Sequence, residues 1–281
     1  MAIPYLQGYL VKPATFDSLG RVTFTDGTNA VTPNQQQCEA YGYTYNSADG
    51  TCSAYTFSMN LGDSLINETN SVKGAGNETR NGTNNTYVIG ENNIVKGLSR
   101  NNIIVGSNNQ ISNSINNANV YGTLGDATAT NSIVLGGNAG GDNLGERQNI
   151  TLMYGWQTTN NSTVNAYLNN TLNSYFEVPI NTAIYFQSET LAVRIGGDSE
   201  SGALGDFKSW VERGVVINKS GTLSIDRSRT SPADSGTTSG WSPINSVSGT
   251  NFLQTIKGAT GMTIEWASTI RITQIKTGVS L

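Results

Sequence analysis

Four short stretches decide how this chain folds: Tyr87-Val88-Ile89-Gly90, Ile103-Ile104-Val105-Gly106, Asn119-Val120-Tyr121-Gly122 and Ile133-Val134-Leu135-Gly136. Their glycines lie 16, 16 and 14 residues apart. Between them run Asn92-Asn93-Ile94-Val95-Lys96-Gly97 and Asn108-Asn109-Gln110-Ile111-Ser112-Asn113, so each period holds two short strands and two turns. Asn and Gly tolerate the left-handed backbone region, which lets the chain turn at fixed offsets. Val and Ile between the turns favour extended structure. An Asn-rich linker has no reason to keep apolar triplets in step with glycines, and a heptad would place Gly and Asn-Asn in its seam. A coiled β-solenoid is the expectation. Strands this short cannot bury an apolar side alone, so the coils are expected to stack and three chains to wrap together. The candidate core of this trimeric roll is Val88, Ile89, Ile104, Val105, Val120, Val134 and Leu135, with Gly90, Gly106, Gly122 and Gly136 as turn glycines.

The Ile-x-x-Gly-x-Asn-Asn rhythm resembles the head repeats of trimeric adhesins, whose relatives recur in bacteriophage fibres and spikes. The resemblance covers about a fifth of the 281 residues. It implies a parallel β-roll built from three chains. Asn119, and Thr123-Leu124-Gly125 in place of the Asn-Asn turn, depart from the rhythm and predict an irregular third repeat. The autotransporter members also carry a signal peptide and a membrane barrel. Here Met1–Pro13 lacks a basic, apolar leader and no stretch approaches the roughly 18 apolar residues of a membrane span, so a virion protein without membrane insertion is expected.

Composition narrows the chemistry. The chain has 34 Asn and 32 Gly, only 13% charged residues and no histidine, which argues against helical bundles and removes His-based triads, imidazole zinc sites and histidine switches. Six basic and ten acidic residues in 1–145, with ten of each in 146–281, give no polycationic surface for nucleic acid. No cofactor motif is present. Gly136 to Leu144 echoes a calcium-binding glycine turn but supplies one carboxylate, too few for that ion, so no metal is expected.

The flanks read as antiparallel β. Arg21-Val22-Thr23-Phe24-Thr25 alternates into Asp26-Gly27, and Tyr41, Tyr43, Tyr45 alternate toward Tyr55, Phe57, Met59 around a turn at Asp49-Gly50. That hairpin pairs Cys52 near Tyr45 and, if the strand continues, carries Cys38 on the order of 20 Å away, beyond disulfide reach. A tight hairpin and a Cys38–Cys52 disulfide then exclude each other: the segment is either a disulfide-closed loop or holds free, buried thiols, and the spacing favours the thiols. Further on, Ile264, Trp266, Ile270 and Ile272 alternate with polar residues, Val215 to Ile225 forms a hairpin, and Arg227 to Thr250 reads as a surface loop carrying Trp241.

The expected architecture is therefore all-β: an elongated homotrimer with a parallel β-roll (77–145) between an N-terminal β domain (1–76) that attaches to other virion proteins and a sandwich-like distal domain (146–281). Tyr154, Trp156 and Trp241 are the candidate receptor-binding rings, for a host-surface glycan or protein. The expected role is a non-enzymatic tail fibre or spike. The alternatives are a capsid or neck decoration without receptor role, and a polysaccharide depolymerase tailspike, for which Asp198, Glu200, Asp206 and Glu212 are the candidate carboxylates.

Overall fold

Among the described residues, alternating β-branched residues between Asn and Gly turns produce strands almost everywhere, beside one short helix. A computed structural model describes residues 11–17, 20–47, 49–53, 70–137 and 143–277. The expectations for Tyr55, Phe57 and Met59, for most of Met1–Pro13 and for 138–142 of the glycine-rich turn lie outside the described residues. The chain divides into two compact units, Met1–Thr69 and Asn70–Leu281.

In the first unit, β1 (Lys12–Phe16), β2 (Val22–Thr25) and β3 (Ala30–Val31) form an antiparallel meander. The turn after β2 is held by Asp26, whose Oδ1 accepts from the backbone N–H of Thr28 and Asn29 at 2.8 and 2.7 Å. Asn34 then starts a helix, α1 (Gln35–Ala40), through a reciprocal capping box with Gln37. β4 (Thr44–Asn46) and β5 (Thr51–Ser53) pair with Tyr45 opposite Cys52, the register the sequence predicts.

The cysteines correct the expectation of free thiols. Cys38 lies on the helix rather than on a continuing strand, so the chain folds back and brings it beside Cys52, with Cα atoms 5.8 Å apart and a disulfide between them. Hairpin and disulfide coexist because the chain turns back directly after Cys38, with Gly42 N–H donating to the Glu39 carbonyl (2.9 Å) and Tyr43 N–H to the Cys38 carbonyl (3.3 Å), where a strand would stretch about 20 Å. Both cysteines are buried with Val22 and Phe24, and Phe24 meets Tyr41 and Tyr43 edge-on at 5.8 and 6.3 Å.

The second unit begins with the solenoid. Its strands are β6 (Ser71–Lys73), β7 (Glu78–Thr79), β8 (Tyr87–Glu91), β9 (Ile94–Val95), β10 (Ile103–Ser107), β11 (Gln110–Ile111), β12 (Asn119–Thr123), β13 (Asp126–Ala127) and β14 (Ile133–Gly137). They alternate between two parallel sheets, β6-β8-β10-β12-β14 and β7-β9-β11-β13. Residues 16 apart face each other without a register shift: Val88 opposite Ile104, and Ile104 opposite Val120. Between the sheets Val88, Ile104, Val120 and Val134 are fully buried, together with Val95, Ile111 and Ala127. The period-2 pleat sends Ile89, Val105 and Leu135 to the other face, where they are exposed, so the seven candidate core residues divide four inward and three outward.

Each Asn-Asn pair divides its labour. Asn92 and Asn108 take positive φ (54° and 56°) and turn the chain. Asn93 and Asn109 are buried and bond along the solenoid: Asn93 Nδ2 donates to Asn77 Oδ1 (2.9 Å) and to the Gly106 carbonyl (2.8 Å), and Asn109 Nδ2 to Asn93 Oδ1 (3.1 Å) and the Gly122 carbonyl (2.8 Å). Gly90 and Gly106 also have positive φ, and a Cβ on either would collide with the carbonyl oxygen of the glycine one coil on. The third repeat, expected to be irregular, keeps its strand register. Leu124 takes the left-handed position of Asn108 (φ 60°), and Gly125 stands at the ladder position, donating its N–H to Asn109 Oδ1. There the ladder stops, and Gln148 replaces it by accepting from Asp126 N–H (2.8 Å) and donating to the Asp126 carbonyl (3.2 Å).

Gln148 lies on β15 (Arg147–Thr158), which pairs antiparallel with β14 and carries the solenoid sheet into the next layer. The remaining strands are β16 (Thr163–Leu168), β17 (Phe176–Glu177), β18 (Thr182–Gly196), β19 (Phe207–Lys219), β20 (Thr222–Ser235), β21 (Ser242–Ser248), β22 (Asn251–Lys257) and β23 (Thr263–Lys276). The large sheet runs β20-β19-β18-β23-β15-β14 and on through the solenoid, while β16, β17 and β21 gather around β22. Leu152, Ile184, Phe186, Ile264, Ile270 and Ile272 of the large sheet are buried in one core with Phe176, Phe252 and Ile256. The alternation at 263–272 and the hairpin turning at Ser220-Gly221 match the sequence reading. The surface loop at 227–250 does not: β20 extends to Ser235, β21 begins at Ser242, and Trp241 is buried against Trp266 with ring centres 6.4 Å apart. Ser, Thr and Pro are frequent there because β20 is an exposed edge strand, whose side chains need no apolar partner.

Gly106→Ala is expected to destabilise the second unit by at least about 2 kcal/mol, and Leu124→Asn to stabilise it by about 1 kcal/mol, both read from urea unfolding midpoints. Replacing Cys38 and Cys52 by Ser is expected to cost the first unit about 3 kcal/mol, the loop-closure value for a span of this length, measured by thermal unfolding with and without reductant.

Candidate functional site

Carboxylates are the first place to look for chemistry, and the four named from the sequence have separate roles. Glu212 points inward from β19 and is buried: Oε1 accepts from Arg227 Nη1 (2.9 Å), Oε2 from the N–H (3.0 Å) and Nδ2 (2.9 Å) of Asn245. It joins the two sheets. Asp206 accepts from the N–H of Ala203 (2.9 Å) and Thr237 (3.1 Å), which hold its carboxyl below the usual carboxylate range. It anchors the connection between β18 and β19, whose other end is gathered by Arg194 through the carbonyls of Ser201 (2.7 Å) and Ser199 (3.0 Å). Asp198 and Glu200 are exposed on that connection. Glu212 and Asp206 are thus committed to bonds that hold the fold, while Asp198 and Glu200 face solvent.

The three candidate rings also separate. Tyr154 is buried, its hydroxyl donating to the Phe252 carbonyl (3.0 Å) and accepting from Phe176 N–H (2.8 Å), and burial pushes its phenol well above the ordinary value. Trp241 is buried as described. Neither offers a ring face to a ligand, which corrects the expectation for both. The apolar alternation that hides Tyr154 between Leu152 and Thr158 is visible in β15, and a strand reading of 147–158 would have found it.

Trp156 is half-buried and has company that the sequence reading missed. Its ring stands edge-on to Tyr167 at 4.6 Å and 82°, and Tyr167 is 5.6 Å from Tyr175. Asn165 Nδ2 donates to Tyr175 Oη at 3.0 Å. Partial burial, then the neighbouring Tyr175, hold the Tyr167 phenol above its usual pKa. On β16, Val164, Ala166 and Leu168 alternate with Thr163, Asn165 and Tyr167; this pattern, next to Tyr175, is the signal that could have pointed to the cluster.

Two further features lie on the outward face of the large sheet. A depression of about 490 Å³ is lined by Met153, Leu191, Ala267, Val211 and Pro232, with Glu189 at its side, ion-paired to Arg271 at 3.2 Å. On the solenoid, Tyr87, Ile89, Val105, Tyr121, Ile133 and Leu135 form a stripe across adjacent strands, each 39 to 50% exposed. Among the described residues no group of three or more metal-ligating side chains occurs, and no helix is long and apolar enough to cross a membrane.

No family model matches the chain, and comparison with curated proteins gives no match. Among solved structures it is similar to the tailspike protein of Acinetobacter baumannii phage AM24, at 9% identity and a TM-score of 0.29 over 75% of this chain and 51% of that one. The tailspike of Acinetobacter phage vB_ApiP_P1 gives 12% identity and a TM-score of 0.25, over 74% and 52%. Tailspike gp49 of A. baumannii bacteriophage Fri1, described as a capsular polysaccharide depolymerase, gives 8% and 0.27, over 70% and 41%. The chain spans about half the length of the structures it matches, and likeness at this level transfers no residue role. The expectation of a non-enzymatic protein is nevertheless corrected by this finding, since one of these similar structures belongs to an enzyme.

Tyr154→Phe is expected to cost about 1–3 kcal/mol, because it leaves the buried Phe176 N–H and Phe252 carbonyl without the shared hydroxyl; urea unfolding of the purified variant measures it.

Proposed function

We propose that this chain is a tailspike-type virion protein that assembles as a homotrimer through the outward face of its solenoid and acts on a polysaccharide of the host surface, cleaving it. The observation that carries the reading is the exposed stripe of Tyr87, Ile89, Val105, Tyr121, Ile133 and Leu135. Sheets made only of parallel strands are normally covered on both faces. Here one face of β6-β8-β10-β12-β14 packs on the thin core and the other is bare. Its side chains expose on the order of 500 Å², at the upper end of the roughly 300–600 Å² patch that a typical monomer carries. A second copy presents the same flat aliphatic surface and is the occupant of matching chemistry; a three-fold arrangement covers every copy's stripe with a neighbour's and closes on itself. Residues 1–76 would then serve attachment to other virion proteins.

The substrate class is that named for the Fri1 protein, a capsular polysaccharide. None of the four carboxylates is assigned a catalytic role.

Light-scattering mass tests the assembly. The account expects about 90 kDa, three times 29.8 kDa, for the native chain and a drop to the monomer for Val105→Glu. A native mass near 30 kDa overturns it. Incubation with purified capsular polysaccharide from a susceptible host tests the activity: shortened glycan with new reducing ends is expected, and polysaccharide of unchanged length contradicts it.

A further inference from the structure

The outward positions of β16 are where a solvated strand carries small polar side chains, as Thr163 does. Four residues on, Tyr167 stands against Trp156, with Tyr175 beyond it, and all three rings are half-buried rather than enclosed. Trp156 packs one side on the adjoining core, whose inward positions on β16 are filled by Ala166 and Leu168, while Tyr167 stands on the other face of that strand. The polar atoms at their edge are uncharged. Asn165 Nδ2 donates to Tyr175 Oη, which leaves that hydroxyl a proton to give, and Asn165 also has a carbonyl oxygen that accepts. Neighbouring ring faces with hydroxyl donors and an amide at their rim suit a ligand with one flat C–H face and a circumference of hydroxyls.

We propose that Trp156, Tyr167, Tyr175 and Asn165 form a binding subsite for a neutral pyranose residue. The sugar's C–H face lies on the exposed ring surface while its hydroxyls bond to Asn165 and Tyr175. The absence of any carboxylate or ammonium from this bonded set favours a neutral sugar over an acidic one. Binding at a single subsite of this kind is weak, and repetition in a multimer along a repeating glycan strengthens it. The proposal rests on the reading that the protein engages a surface polysaccharide, and it assigns that engagement to the outer side of the β16-β22 sheet.

Saturation-transfer NMR on the full chain, with the methyl β-pyranosides of glucose, galactose and N-acetylglucosamine as probes, tests it. Transfer from protein aromatic protons to sugar ring protons is expected for at least one glycoside. It should be lost in Tyr167→Ala, and the affinity reduced at least threefold in Tyr175→Phe, which keeps the ring and removes only the hydroxyl. Tyr185→Ala, an exposed tyrosine on the large sheet, should leave the signal unchanged. Transfer that survives both Tyr167→Ala and Tyr175→Phe overturns the subsite while leaving the polysaccharide reading standing. Binding of capsular polysaccharide without transfer to any of the three glycosides overturns the neutral-pyranose assignment. A native chain that binds neither the glycosides nor the polysaccharide overturns both.

Discussion

Successive coils of the solenoid approach so closely at Gly90 and Gly106 that no side chain fits between one glycine and the carbonyl of the next. This contact fixes the rest. It requires glycine once per coil, sets the 16-residue step, and brings Asn77, Asn93 and Asn109 within bonding distance of one another in the space the turn leaves behind. A buried amide is costly unless it is satisfied. The ladder satisfies Asn93 and Asn109 with the amide of the coil before and the glycine carbonyl of the coil after, while Asn77, at its start, donates to the carbonyls of Lys73 and Gly90. The period is therefore set by backbone contact and amide bonding, and the aliphatic residues conform to it. That is why Leu124 adopts a left-handed conformation unusual for leucine: the turn is imposed by its neighbours.

The same constraint determines the surface. With the pleat fixed by the ladder, Val88 and Ile104 point into the solenoid, and Ile89 and Val105 must point out. Continuation of the sheet through β15 into the long strands carries that outward face past Met153 and Leu191. Gln148 is the joint: it ends the amide ladder and opens the antiparallel layer, so one residue closes the stack against water and starts the next architecture.

Much of this was legible in the residues. Glycine spacing and Asn-Asn pairs gave the strands, their parallel stacking and their register, because local conformational preference and backbone contact act there at short range. The hairpins at Asp49-Gly50 and Ser220-Gly221 were legible for the same reason. The split of the apolar triplets into inward and outward members was not drawn, although the two-residue pleat contains it. Cys38 escapes a local reading because the alternation of Tyr41, Tyr43 and Tyr45 does not run back over residues that Asn34 and Gln37 cap into a helix. The burial of Trp241 is hidden from a local reading because a run of Ser, Thr and Pro looks the same in an exposed edge strand as in a loop. The alternation on β16 carries the outward place of Tyr167, but its meeting with Trp156 depends on the pairing of β15 with β16, a tertiary event.

The central functional claim is that the outward solenoid stripe is a contact between copies. It is tested most directly by the electron paramagnetic resonance spectrum of a nitroxide attached through Thr123→Cys, beside that stripe, with a second protein labelled through Gln110→Cys on the opposite sheet. Dipolar broadening at position 123 and none at 110 is the result expected. Sharp, uncoupled spectra from both positions would contradict the account.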